Sequence, residues 1–254
     1  MNMKKFITVA IIIGGMLSAI SVSAFTAYGE EQDLLNGQFT DINGHWAEAV
    51  IEKWQDKNII AGYPDGTFRP DDYVNRAELA KILTLAFNLE KGDPLDYSDI
   101  DSSDWYYPYL ECSARYIPVY KLPISYVSDD PYAINLEKSL NGFLPQVNAI
   151  RMHVAEVLVE IKKEKENLIL ELPNINDIQS DLLATFKDGD YNNLFIMHSS
   201  VPSNVRRMFE YTWLADDLGI MQGNSDGYFL PQGKISRAEL VTTIDRILDA
   251  ESEE

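Results

Sequence analysis

One helix start recurs three times in this chain, and that recurrence limits what it can fold into. Asn75 to Phe87 reads NRAELAKILTLAF, Ser236 to Leu248 reads SRAELVTTIDRIL, and a divergent counterpart begins near Arg151. Upstream, Phe68-Arg69-Pro70, Phe143-Leu144-Pro145 and Phe229-Leu230-Pro231 set the register, and each phenylalanine is followed eight residues later by an arginine: Arg76, Arg151 and Arg237. Self-similarity at a fixed register predicts repeated units that bury their apolar faces against one another.

Each start has a local cause. Asn75 with Glu78, and Ser236 with Glu239, stand at the N-cap and third helical positions of a capping box, where each side chain satisfies a backbone N–H of the first turn. Behind the caps, Leu79, Ile82, Leu83, Ala86 and Phe87 form one apolar stripe. Val154, Val157, Leu158 and Ile161 repeat it, as do Leu240, Ile244, Ile247 and Leu248. Helices this short are not stable alone, so the stripes must pack together. At the second start Ile150 occupies the cap position and His153 the glutamate position, so the capping box is lost and only Arg151 is kept.

The units also share their openings. Phe39-Thr40-Asp41-Ile42 leads through His45 and Trp46 to a helix with Ala47, Val50, Ile51 and Trp54 on one face, ending near Asn58. Gly62 to Phe68 then forms a turn, with Pro64 and Asp65 suited to type I geometry and Gly66 to a positive φ. The second unit opens with Tyr97-Ser98-Asp99-Ile100 and Trp105, but carries an insertion at 120–141, read as a surface excursion with a short hairpin at Ile124 to Val127. Residues 163–185 read as a connector. The third unit begins at Phe186-Lys187-Asp188, builds a helix on Val205, Met208, Phe209 and Thr212, and turns at Gly223 to Phe229. Five or six residues after the last helix the sequence ends, which leaves no room for another domain on this reading.

The first residues read differently. Lys4 and Lys5 precede an apolar run from Phe6 to Ile20 and a small-residue site at Val22-Ser23-Ala24, the pattern of a secretory signal peptide cleaved after Ala24, or after Gly29. The run is too short to span a bilayer. No cysteine precedes Cys112, so a lipid-modified N-terminal cysteine is excluded, and one cysteine forbids an internal disulfide. Loss of Lys4 and Lys5 with residues 1–24 would take the formal charge from −19 to −21, which argues against nucleic acid or an anionic membrane as partner.

Candidate chemistry concentrates at the repeated positions. Arg76, Arg151 and Arg237 open helices whose unpaired N–H groups and dipole favour an anion, and a guanidinium adds a fork suited to a carboxylate. Alternatively each arginine pairs with a nearby acid and braces the bundle. Trp46 and Trp105 suit stacking on the apolar face of a sugar, or packing in the core. Asp188, Asp190 and Asn192 resemble the start of a calcium loop, but Asn193 and Ser199 stand where glycine and glutamate belong, so no metal site is expected. His45, His153 and His198 lack metal-ligand spacing, and the literal GxSxG at Gly223 to Gly227 lies in a turn with no histidine after it. Nothing points to a catalytic residue or a cofactor.

Taken with their spacing, FTDINGHWAEAVIEKWQDKNIIAGYPDGTFRPDDYVNRAELAKIL, YSDIDSSDWYYPYL, FLPQVNAIRMHVAEVL and GNSDGYFLPQGKISRAELVTTI resemble the S-layer homology (SLH) family over residues 39 to 249. That resemblance implies a mainly α fold: three SLH repeats, at 39–89, 97–162 and 186–249, as a pseudo-threefold bundle with short irregular or hairpin insertions. It also implies a non-catalytic, secreted protein on the cell wall or S-layer of a bacterium, with cell-wall polysaccharide, commonly pyruvylated, in grooves between repeats. Carried over by position, the glycan-binding residues are Arg76 and Arg237, Arg151 less closely matched, and Gly62, Gly66, Gly223 and Gly227; Trp46 and Trp105 join them as the stacking candidates named above. Asn75, Glu78, Ser236 and Glu239 support the helix starts. The alternative is a surface scaffold that has lost glycan binding and meets a protein partner through its insertions.

Overall fold

The computed structural model describes residues 39–118, 142–189 and 203–250. The expected signal peptide, the 120–141 insertion and the calcium-like stretch from Asp190 onwards lie outside the described residues. Those that are described form seven helices: α1 (Glu48–Asp56), α2 (Arg76–Phe87), α3 (Tyr107–Ser113), α4 (Arg151–Lys165), α5 (Ile175–Thr185), α6 (Ser203–Asp217) and α7 (Arg237–Ala250). Pairing between extended segments is confined, among the described residues, to three isolated antiparallel bridges. The chain is mainly α.

The expected stripes are buried. Leu79, Leu83, Val154, Val157, Leu158, Leu240 and Ile244 have no exposed surface, and with Trp54, Phe68, Phe143 and Phe229 they form one continuous core. Burial of such side chains stabilises by about 1.5–3 kcal/mol each. Capping follows the sequence: the Asn75 side chain accepts from the Glu78 amide while the Glu78 carboxylate accepts from the Asn75 amide, and Ser236 and Glu239 do the same. Ile150 supplies no side-chain cap to α4. That helix is instead buried on nearly every face from Arg151 to Val159.

Two findings go beyond the sequence reading. The 163–185 segment, expected as a connector, contains α5, which Asn174 caps by accepting from the amides of Asn176 and Asp177. Ile178 and Leu182 bury its inner face, and it packs on α6. Second, the first turns of α2, α4 and α7 are not open to an anion. The Arg76 and Ala77 amides donate to the carbonyls of Val147 and Pro145, those of Arg151 and Met152 to Gly233 and Pro231, and those of Arg237 and Ala238 to Asp72 and Pro70. Neighbouring backbone satisfies the donors that a helix start leaves free.

These contacts run in one sense, from the first segment to the second, the second to the third and the third back to the first. At their centre three further bonds run in the opposite sense: the Val74 amide donates to Ile235, Ile235 to Ala149 and Ala149 to Val74, at 2.8–3.2 Å. All three side chains are buried. Cyclic closure explains how a chain without a disulfide holds distant segments together.

Candidate functional site: a groove beside Arg237 and Trp105

Each turn that leads into a capped helix is built on a buried ring and an aspartate. Phe39 meets Phe68, Tyr97 meets Phe143 and Phe186 meets Phe229, at centroid separations of 5.3–5.4 Å. Two residues after the first ring of each pair, an aspartate accepts two consecutive amides at 2.7–2.8 Å: Asp41 from Phe68 and Arg69, Asp99 from Phe143 and Leu144, Asp188 from Phe229 and Leu230. The second amide belongs in every case to a residue with a left-handed backbone, at φ 58°, 61° and 55°. Such a conformation is costly for non-glycine residues, and the carboxylate holds it in place. The sequence presented this aspartate only as part of a recurring opening.

The arginines are set against those turns. Each is buried, and each Nε donates to a phenylalanine carbonyl of the next segment: Arg76 to Phe143, Arg151 to Phe229 and Arg237 to Phe68, at 2.7–2.8 Å. A terminal guanidinium nitrogen reaches a second carbonyl, of Pro118, Gln222 and Ala61 respectively. Glu239 lies 3.3 Å from Arg151 and Glu78 3.6 Å from Arg237. Beside Arg76 the corresponding group is His153, and burial followed by the Arg76 charge pushes its imidazole well below the usual histidine range. Burial also lowers the Arg76 guanidinium to about 10. The bracing role therefore contains part of the observed geometry: an acid is near two of the three arginines, and the main partners are carbonyls.

A groove of about 230 Å³ opens along Arg237 and brings together Gly62, Tyr63, Glu78, Lys81 and Trp105. Thus Arg237, Gly62 and Trp105, nominated separately from the sequence, share one wall-and-floor arrangement. Trp105 is 52% exposed and Trp46 63%, so the core alternative for these tryptophans is overturned. The Tyr63 hydroxyl donates to Glu78 at 3.1 Å, and burial is the main cause that raises its phenol. A half-exposed aromatic face, two cations and a carboxylate suit a ligand with both an apolar ring face and polar edges.

Other nominated residues lie elsewhere. Gly66 and Gly227 take φ of 80° and 81° at the tips of their turns, whereas a Cβ on Gly223 would press on the Phe186 ring. Trp46 packs beside His45, with ring centroids 5.3 Å apart. A second groove, of about 580 Å³, runs past Pro118, whose carbonyl holds Arg76. Its chemistry differs: Arg207 Nε donates to Glu156 at 2.6 Å, Tyr116 donates to Glu164 at 2.8 Å and Tyr211 to Glu160. Among the described residues no group of His, Cys, Asp and Glu side chains has the arrangement of a metal site. None of the described helices is long and apolar enough to cross a membrane. Lys81 and Tyr211, which line the two grooves, were not singled out in the sequence: Lys81 lies within the repeated helix start but off its apolar stripe, and Tyr211 lies outside that motif.

Comparison with known proteins agrees with the family resemblance. The model of the S-layer homology domain matches residues 38–80 and 215–241. Cell surface glycoprotein 1 of Acetivibrio thermocellus is 40% identical over 77 residues, which are 29% of this chain and 3% of that protein. The amylopullulanase of Thermoanaerobacterium thermosulfurigenes is 26% identical over 83% of this chain and 9% of its own. The cellulosome-anchoring protein of Acetivibrio thermocellus is 39% identical over 74 residues, 28% of this chain and 16% of its own. This chain therefore spans only a small part of each relative. The recurring rings, aspartates and arginines accompany these matches, which show S-layer homology domain sequence at residues 38–80 and 215–241 of this chain.

Proposed function

We propose that this protein is a non-catalytic anchor of the bacterial cell surface, lodged in the cell wall or S-layer by holding wall glycan in the groove beside Arg237 and Trp105. The observation that carries the reading is the juxtaposition, in one groove, of the half-exposed Trp105 with Tyr63, Lys81 and Arg237. A sugar ring stacks on the indole, and the polar edges engage its hydroxyls and any acid it carries. The glycan is a secondary cell-wall polysaccharide, pyruvylated in the finer form of the reading. Residues 39–89, 97–162 and 186–249 are the three repeats, and residues 1–29 a signal peptide removed on export. A cell surface glycoprotein and a cellulosome-anchoring protein among the relatives support the assignment, and the amylopullulanase shares only 9% of its length with this chain.

Anchoring by several weak contacts acting together accounts for retention without high affinity at any one site. The test is co-sedimentation of the purified protein with cell walls of the producing organism, before and after their secondary polysaccharide is removed. Binding should disappear with the polysaccharide and with Trp105→Ala. If the folded protein leaves intact walls in the supernatant, the anchor reading fails. The remaining function is then a protein-contact scaffold, a reading favoured by the ion-paired groove at Glu156.

A further inference from the structure

The stretch between α4 and α5 leaves its backbone unpaired. The Leu168 amide closes the end of α4 on the Lys163 carbonyl, and the next backbone bond in chain order is that of Asp177 to Asn174. Between them Leu168 to Pro173, LILELP, run without a turn or bend, and among the described residues no backbone bond is made by the amides of Ile169, Leu170, Glu171 and Leu172 or accepted by their carbonyls. Leu170 packs against the core, whereas Ile169 is 92% exposed and Leu172 42%. Apolar side chains on an unpaired backbone of this kind are a template for another strand.

A second copy of the same stretch is its own complement. Antiparallel pairing about Leu170 sets Leu168 against the partner's Leu172, and Ile169 against the partner's Glu171. A centre at Glu171 would oppose two carboxylates, which disfavours that register. The flanking helices agree on the sense of pairing. Lys162, Lys163 and Lys165 lie in the last turn of α4, and Asp177 lies in the first turn of α5. Lys162 and Lys163 already pair with Glu166 and Glu160, so the exposed Lys165 is the cation presented. Antiparallel pairing brings this basic end of one copy beside the acidic start of α5 in the other, twice by symmetry, whereas parallel pairing would set like ends together.

We propose that residues 168–172 form an antiparallel strand pair with the same residues of a second copy, so that the protein is a two-fold symmetric dimer. Its strongly negative charge opposes association at long range, but at physiological ionic strength that repulsion is screened within about 8 Å and the local contacts decide. The inference is independent of the glycan reading. Where both hold, a dimer offers the wall two grooves and gains retention by avidity.

Sedimentation equilibrium of the purified protein in about 0.15 M salt tests it. Dimer is expected to form between about 1 and 100 μM, the range of a small interface. Glu171→Pro removes an amide from the pairing edge and Ile169→Asp adds a carboxylate to it, both at exposed positions. Each should weaken the dimer about tenfold or more, and thermal melts verify that the variants fold. Ile169→Cys/Glu171→Cys, made with Cys112→Ser, should give a disulfide-linked dimer on mild oxidation, because directly opposed Cβ atoms lie about 4.5–5.5 Å apart. Either cysteine alone should link far less. Monomer throughout the concentration range, or a dimer that either substitution leaves unweakened, overturns the proposal. Single cysteines that link as readily as the pair overturn its antiparallel register.

Discussion

The Arg76 guanidinium donates through Nε to the Phe143 carbonyl at 2.8 Å, across 67 residues of sequence. Arg151 with Phe229 and Arg237 with Phe68 make the same bond, so each arginine fastens a helix start to the turn of the next segment. Removal of the guanidinium leaves the buried Phe143 carbonyl and the partly buried Pro118 carbonyl short of a donor, at about 1–3 kcal/mol for a buried one and less for the other. Arg76→Ala should lower stability by about 2–4 kcal/mol in urea unfolding. Arg76→Lys should recover little, because a single ammonium cannot reproduce the planar fork that reaches Phe143 and Pro118 together.

The aspartates at the unit openings provide a second, independent check. Asp99 accepts from the amides of Phe143 and Leu144, and Leu144 has φ of 61°. Asp99→Ala should cost about 2–4 kcal/mol by loss of two charge-assisted bonds, and Asp99→Asn less, since its amide keeps one acceptor oxygen. Leu144→Gly relaxes the left-handed strain that the carboxylate stabilises. The double variant Asp99→Ala/Leu144→Gly should therefore be less destabilised than the sum of an unrelated pair of similar cost, a coupling that a double-mutant cycle reads directly.

How much of this was legible depended on whether the signal was local. The caps at Asn75 and Ser236, the stripes behind them and the positive φ of Gly66 follow from neighbouring residues, and each is found where spacing put it. The loss of the cap at Ile150 was equally local. The arginine partners were not, because backbone carbonyls leave no trace in residue identity and the bonds cross to another segment. The same blindness hid the committed N–H groups of the helix starts, which on sequence alone looked free for an anion. Trp105 and Lys81 line one groove with Arg237, which lies more than 130 residues further along the chain, and only the folded arrangement joins them.

Gly62 gives a prediction that separates packing from ligand approach. A Cβ there would lie 2.3 Å from the Phe39 ring and 2.6 Å from the Thr67 carbonyl oxygen, whereas at Gly223 the nearest atoms, of the Phe186 ring, are 3.0 Å away. Overpacking of this kind costs about 1–3 kcal/mol. Gly62→Ala should lower the melting temperature clearly more than Gly223→Ala. Equal effects would mean that the Phe39 ring moves aside and that the glycine serves the ligand instead.

His153 makes the last prediction, because it replaces the glutamate that elsewhere neighbours an arginine. Burial, then the Arg76 charge, holds its imidazole well below 6.5 in the folded protein. The unfolded chain therefore binds a proton that the folded chain refuses, over the interval from about 6.5 down to the lowered value. In that interval stability rises with pH, and it falls as the solution is acidified below about 6.5. At neutral pH both states are uncharged at this position and the linkage vanishes. Acid destabilisation also comes from carboxylates, so the informative quantity is a difference between proteins. His153→Gln removes the titrating group and should lose less stability than wild type between about pH 7 and pH 5. Urea unfolding of both proteins at the two pH values tests it. Parallel losses would mean that the imidazole is protonated in the folded protein, with a solvated or paired charge beside Arg76.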